Sequence, residues 1–147
     1  MFSKKNAGFT FVELVLVLLI VGILASTAAS TLIPGKSFQL QATRDQVVMA
    51  LVTGQQRAMS RLNAVAVIIT ASQIDIREDT NANDSFADEA SLFIGGVQYP
   101  ISLLASQTIS NNTFEYDRLG QTAGATLTLS QSSATVTITV TDSGYVY

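Results

Sequence analysis

Hydrophobic positions fall along the chain in three successive patterns. From Phe9 to Ile33 apolar residues follow one another with a single charge, Glu13, near the start. A helix over that run rises about 37 Å, enough to cross a hydrocarbon core of about 30 Å with some tilt. Pro34-Gly35 then ends or kinks it, because proline removes a helix hydrogen bond and clashes with the preceding turn. The second pattern runs to Asn63. Leu40, Val47, Leu51, Gly54, Ala58 and Leu62 fall at helical spacing and draw one stripe, which Val48 and Met59 widen. Asp45, Thr53, Gln56, Arg57 and Ser60 lie largely on the other side. Gly54 inside the stripe would let a strand or a neighbouring backbone come close. From Ala64 onward the period changes to two. Val65 to Thr70 is a β-branched run, and Ile74 and Ile76 alternate with Gln73, Asp75 and Arg77. Leu92 to Ile94 and Val97 to Tyr99 flank Gly95-Gly96, a hairpin signal. Phe114 and Tyr116 flank Glu115, with a turn over 117–120. Leu127 and Leu129, then Val136, Ile138 and Val140, alternate with threonines, and Asp142-Ser143-Gly144 turns into Tyr145-Val146-Tyr147. Such alternation means antiparallel strands with one buried face.

The predicted class is therefore α+β. A long N-terminal helix, half membrane (9–33) and half amphipathic (34–63), packs on a small antiparallel β domain (64–147). Lys4 and Lys5 ahead of the apolar run favour a cytoplasmic N-terminus. The C-terminal domain is then expected outside the cytoplasmic membrane. A signal peptide, with a cut among the small residues Ala25 to Ala29, and a plain signal anchor are the simpler alternatives. Neither has a use for Glu13, since a carboxylate in lipid is costly and is usually paired or functional.

Composition narrows the chemistry. The chain has no Cys and no His, so disulfides, the commonest zinc sites and the commonest nucleophile–base pairs are unavailable. Residues 1–62 carry six bases against two acids, a net of +4, and residues 63–147 carry Arg77 and Arg118 against nine acids, a net of −7. An outer domain this acidic is a poor surface for nucleic acid, whose binding rests on neutralising phosphates. Glu115 and Asp117 share one side of a strand, but that side also suits exposed charge. With no phosphate loop either, the chain is not expected to be an enzyme.

One loop has ligand-like spacing. Asp79, Asn81, Asn83 and Ser85 place side-chain oxygens at every second residue, and Asp88-Glu89 follow. Calcium loops use such positions. The set to consider is Asp79, Asn81 and Asn83, closed by Asp84, Asp88 or Glu89. The pattern departs from a calcium loop where Asp84 replaces the sharp-turn glycine and Ala90 takes the last ligand position. A solvated hydrophilic loop is the plainer reading, since Asn and Asp favour turns without any metal.

Lys4, Lys5, Gly8, Phe9 and Glu13, set ahead of the long apolar run, resemble the type IV pilin and pseudopilin family. That resemblance implies a leader over 1–8, a cut by prepilin peptidase between Gly8 and Phe9, and N-methylation of the new Phe9 amine. It implies an ion pair between Glu13 and the Phe9 amine of a neighbouring subunit. In lipid each of these charges would relieve the other's desolvation. Many members have a helix-bending proline where this chain has Ser30, so the kink is expected to move to Pro34. Gln56-Arg57-Ala58, Val65 to Ile69, Phe114 to Gly120 and Gly144-Tyr145 look most like minor pilins. The H-type minor pseudopilins and the mannose-sensitive haemagglutinin type of pilus are the nearest in pattern.

The expected function is thus structural. The chain is held in the bacterial inner membrane with its C-terminal domain in the periplasm. It is then cut, methylated and packed into a type IV pilus or a type II secretion pseudopilus. Other pilin subunits, the peptidase, an assembly ATPase and a polytopic platform protein are the implied partners. The alternative is a minor pilin acting as a binding module for a surface ligand, a secreted substrate or, with less support, DNA. No cofactor is implied beyond the calcium considered above.

Overall fold

The computed structural model describes residues 10–31 and 35–147, with side chains in the first helix through Ala25. By contacts the chain divides after Gly35 into two compact units. The first unit contributes helix α1, Phe11–Thr31. Its side chains from Phe11 to Ala25 are exposed. Among the described residues no helix is long and apolar enough to cross a membrane. The expected crossing over 9–33 is thus not reproduced there, and its two ends, with Pro34, lie outside the described residues.

The second unit is α+β. Helix α2, Lys36–Ser60, is followed by nine strands: β1 Val65–Thr70, β2 Gln73–Glu78, β3 Phe93–Ile94, β4 Val97–Gln98, β5 Ile101–Ser102, β6 Gln107–Ile109, β7 Asn112–Tyr116, β8 Ala125–Gln131 and β9 Ala134–Val140. They form a four-stranded sheet in the order β5-β2-β1-β7, a three-stranded sheet β6-β8-β9 and the hairpin β3-β4. Every pairing is antiparallel. The β3-β4 hairpin turns at Gly95 and Gly96, whose φ values of 59° and 85° suit a two-residue turn that only residues tolerant of positive φ can make.

The α2 stripe forms the helix side of the core. Leu40, Thr43, Val47, Ala50, Leu51, Gly54 and Ala58 are buried. Three expected members are not: Leu62 lies beyond the end of the helix, Met59 is half exposed and Val48 is only partly buried. Register places Ile76, Val67 and Phe114 side by side on one face of the large sheet. Gly54 backs onto that face, and a Cβ there would fall inside the Val67 side chain. Leu127, Leu129, Ile138 and Val140 bring the inner face of the small sheet into the same cluster.

A chain of side chains running from inside this core to its edge joins α2 to the small sheet. The Thr43 hydroxyl donates to Gln107 Oε1 at 2.7 Å, and the Gln107 amide donates to Gln131 Oε1 at 3.1 Å. The Gln131 amide in turn donates to Gln39 Oε1 at 3.0 Å and to the Ser106 hydroxyl at 3.1 Å. Buried amides must be paired to avoid a desolvation cost, so this chain fixes the register of the helix on β6 and β8.

Candidate functional site

Two places in the sequence carry candidate chemistry, the start of α1 and the loop after β2. At the first, Gly8 and Phe9 lie outside the described residues. Glu13 is described: it stands in the first turn of α1 and is exposed. Thr10 precedes the helix, and its carbonyl accepts from Leu14 N–H at 3.2 Å, closing the first helical turn. The Thr10 hydroxyl accepts from Glu13 N–H at 3.3 Å. In return one Glu13 carboxylate oxygen accepts from Thr10 N–H at 3.4 Å and from the Thr10 hydroxyl at 3.5 Å. Each residue thus satisfies a first-turn donor of the other, the reciprocal cap that a Thr-x-x-Glu sequence makes possible.

The loop from Asp79 to Glu89 turns its oxygens onto itself. The Asp79 carboxylate is buried and accepts from the backbone N–H of Asn83 at 3.3 Å and of Asp84 at 3.0 Å. Glu89 accepts from Thr80 N–H at 2.9 Å, Asn81 N–H at 3.3 Å and the Thr80 hydroxyl at 2.8 Å. Asn81 and Asn83 both donate their amide N–H to Asp88 Oδ2, each at 2.9 Å. The Asn81 carbonyl oxygen accepts from Asn83 N–H, and that of Asn83 from Ser85 N–H. The backbone N–H of Asp88 itself, with these two asparagine amides, holds the Asp88 carboxyl below the usual carboxylate range. Ala82 and Asp84 take φ of 56° and 58°, so the chain winds tightly around Asp79. Among the described residues no three carboxylates gather so as to hold a metal ion. Asp79, Asn81, Asn83, Asp84, Asp88 and Glu89 do share one loop, but the carboxylates of Asp79, Asp88 and Glu89 are engaged by N–H and O–H donors of that loop.

The same loop is tied to the outer face of the large sheet. Arg77 Nη1 donates to the carbonyls of Phe86 at 2.8 Å and Ala87 at 3.3 Å, while its Nε donates to Asp75 at 2.8 Å. Ser91 donates to the same Asp75 oxygen at 2.9 Å. On the adjoining residue, Glu78, Arg57 Nε and Nη2 donate to one carboxylate oxygen at 2.9 and 2.7 Å, and Asn63 donates to the other at 3.1 Å. The alternation of β2 predicts Asp75 on the solvent side. Instead the returning loop covers it, and its second oxygen is buried without a partner.

Cavities in the second unit offer little acid–base chemistry. One of about 340 Å³ is lined by Gln46, Met49, Val97, Tyr99 and Ile101. Another of about 510 Å³ lies along α2 beside Asp45, and a third of about 410 Å³ lies between Thr126 and Asp142. None of the three pairs two titratable side chains.

Residues 3–29 match the family model described as the prokaryotic N-terminal methylation motif, the signature of type IV pilins and pseudopilins. The match is confined to this N-terminal segment, and it supports a type IV pilin-like precursor. No curated protein and no solved structure matches the chain. The matched segment contains Thr10, which the sequence reading passed over although Thr-x-x-Glu was there to be read.

Proposed function

We propose that the protein is a structural subunit, of the minor type, of a type IV pilus or type II secretion pseudopilus. The methylation motif over residues 3–29 carries this reading. Prepilin peptidase cuts between Gly8 and Phe9 and methylates the Phe9 amine. Before assembly the apolar helix over 9–33 lies in the inner membrane, with the domain from Lys36 onward in the periplasm. Apolar side chains from Phe11 to Leu24 are exposed, and lipid and then neighbouring helices cover them. In the filament, Glu13 pairs with the Phe9 amine of a neighbour. An assembly ATPase and a platform protein provide the work of extraction. The protein is not an enzyme, and the acidic outer domain disfavours nucleic acid as a ligand.

The reading is tested with Gly8→Ala. The variant should keep its leader, accumulate in the membrane and be missing from sheared filaments. A Gly8→Ala chain that is still shortened to Phe9 and assembles would contradict the proposal.

A further inference from the structure

We propose that the outer face of the small sheet, where Tyr145 and Tyr147 stand beside a hydroxyl-lined cavity, binds a neutral oligosaccharide. This adds a binding activity to the structural role. It uses only residues of the unit from Lys36 onward, so neither reading depends on the other.

Register builds the site. Past the last turn the chain returns along the edge of β9, bridging Val146 to Val140. Tyr147 and Thr139 exchange both backbone hydrogen bonds, at 2.9 and 3.0 Å, and the Tyr145 carbonyl accepts from Thr141 N–H at 2.9 Å. Val140 and Val146 are buried. Their neighbours Thr139, Thr141, Tyr145 and Tyr147 therefore face the opposite side, away from the core. Thr126 joins them from β8, paired with Thr139 and with its hydroxyl 3.5 Å from that of Thr139. The two tyrosine rings stack with centroids 6.0 Å apart and planes 28° from parallel. They remain 65 % and 57 % exposed, so the pair keeps ring surface in solvent.

The cavity of about 410 Å³ adjoins this pair. It is lined by residues 124–126 and 139–142, and its volume suits a small-molecule site. Gly124 shapes the rim: its N–H donates to Asp142 Oδ1 at 2.9 Å, and a Cβ there would meet that oxygen at 2.6 Å. The carboxylate is thus held at the cavity, and its second oxygen carries no hydrogen bond among the described residues.

Threonine and tyrosine are common on strands. What marks this face is that both aromatic rings share one side with a cavity whose lining offers hydroxyls and one carboxylate. A pyranose ring has the matching chemistry. Its C–H face carries slight positive charge and suits the negative face of an aromatic ring. Its hydroxyls both donate and accept, as do those of Thr126 and Thr139, and they donate well to a carboxylate. Asp142 is the one charged residue of the lining, and residues 63–147 carry a net of −7. Like-charge repulsion therefore excludes uronic and sialic acids and selects neutral sugars.

The test is a titration of the full chain, in micelles of a detergent without a sugar headgroup, followed by two-dimensional amide spectra. The probes are neutral tetrasaccharides of glucose, galactose, mannose and N-acetylglucosamine. At least one should shift Gly124, Thr126, Thr139, Asp142, Tyr145 and Tyr147 saturably, with a Kd at or below about 1 mM. Tyr145→Ala and Tyr147→Ala should each weaken binding about tenfold, while Tyr145→Phe, which keeps the ring, should stay within about threefold of the parent. Thr139→Val should weaken binding several-fold, and tetragalacturonate should not bind. The same spectra report that each variant is folded, so lost binding is distinct from lost structure. No shift with any of the four sugars at about 10 mM would overturn the proposal. So would shifts confined to another face, or full affinity in the Tyr145→Ala/Tyr147→Ala double variant. Tighter binding of tetragalacturonate or of a proline-rich peptide than of every neutral sugar would also overturn it.

Discussion

Tyr116 is the largest side chain completely enclosed in the core, and its hydroxyl has no hydrogen-bond partner there. Burial pushes that hydroxyl up from its ordinary value of 10.0 to about 12. A raised pKa means the folded state keeps a proton that the unfolded chain gives up. The associated stability is intact below pH 10 and is lost as pH rises from 10 toward 12. Melting of the domain should therefore fall steeply over that window. Tyr116→Phe should flatten the fall by an amount of order 2 kcal/mol at the alkaline end. Some slope should remain from Tyr99, which burial also pushes up. At neutral pH Tyr116→Phe should leave stability unchanged or raise it by up to about 1 kcal/mol, since an unpaired buried hydroxyl is removed. A marked loss at neutral pH would mean the hydroxyl has a partner. Gly54 shows the opposite relation of residue to neighbour. A glycine inside an apolar stripe announces close approach, and Val67 supplies it. That contact was legible in the sequence because it follows from one residue and its period. Asp75, Glu78, Gln107 and Gln131 were not legible as buried, because their partners come from elsewhere in the chain. Ser91 covers Asp75, Arg57 meets Glu78, and Gln39 meets Gln131.

At the scale of elements, periodicity located the long strands well. The alternating stretches became β1, β2, β7, β8 and β9, and Gly95-Gly96 became the β3-β4 turn. The two-residue β5 and the three-residue β6 were missed, since so short a strand has no period of its own and exists through its pairing with β2 or β8. The loop from Asp79 to Glu89 presents the same lesson in chemical form. Alternating oxygens are equally the signature of a cation site and of a chain that caps itself, and spacing alone does not separate the two. The hydrogen bonds favour self-capping: Asp79, Asp88 and Glu89 each accept from two or more donors of the loop. Millimolar calcium, compared with chelator, should then leave the melting midpoint of the fragment from Lys36 onward unmoved. Asp79→Ala should lower that midpoint in both conditions, through a stability loss of about 1–3 kcal/mol for a buried acceptor of two N–H groups. A calcium-dependent rise that vanishes in Asp79→Ala and persists in Asp142→Asn would instead establish a cation site, by mass action on the folded form.

For the whole molecule, two units answer to different surroundings. The unit from Lys36 onward buries its own core between α2 and two sheets. In the unit before it the apolar side chains from Phe11 to Leu24 are exposed, and the proposed function covers them with lipid and then with other helices. Glu13 and its motif were legible in the sequence because the pattern is contiguous: a glycine, a phenylalanine and a carboxylate at fixed spacing ahead of an apolar run. The decisive measurement is the intact mass, with N-terminal sequencing, of the protein taken from membranes and from sheared filaments. The proposed function predicts a chain beginning at Phe9 and carrying one N-methyl group. A chain beginning among the small residues near Ser30, or one still beginning at Met1 in assembled filaments, would contradict it.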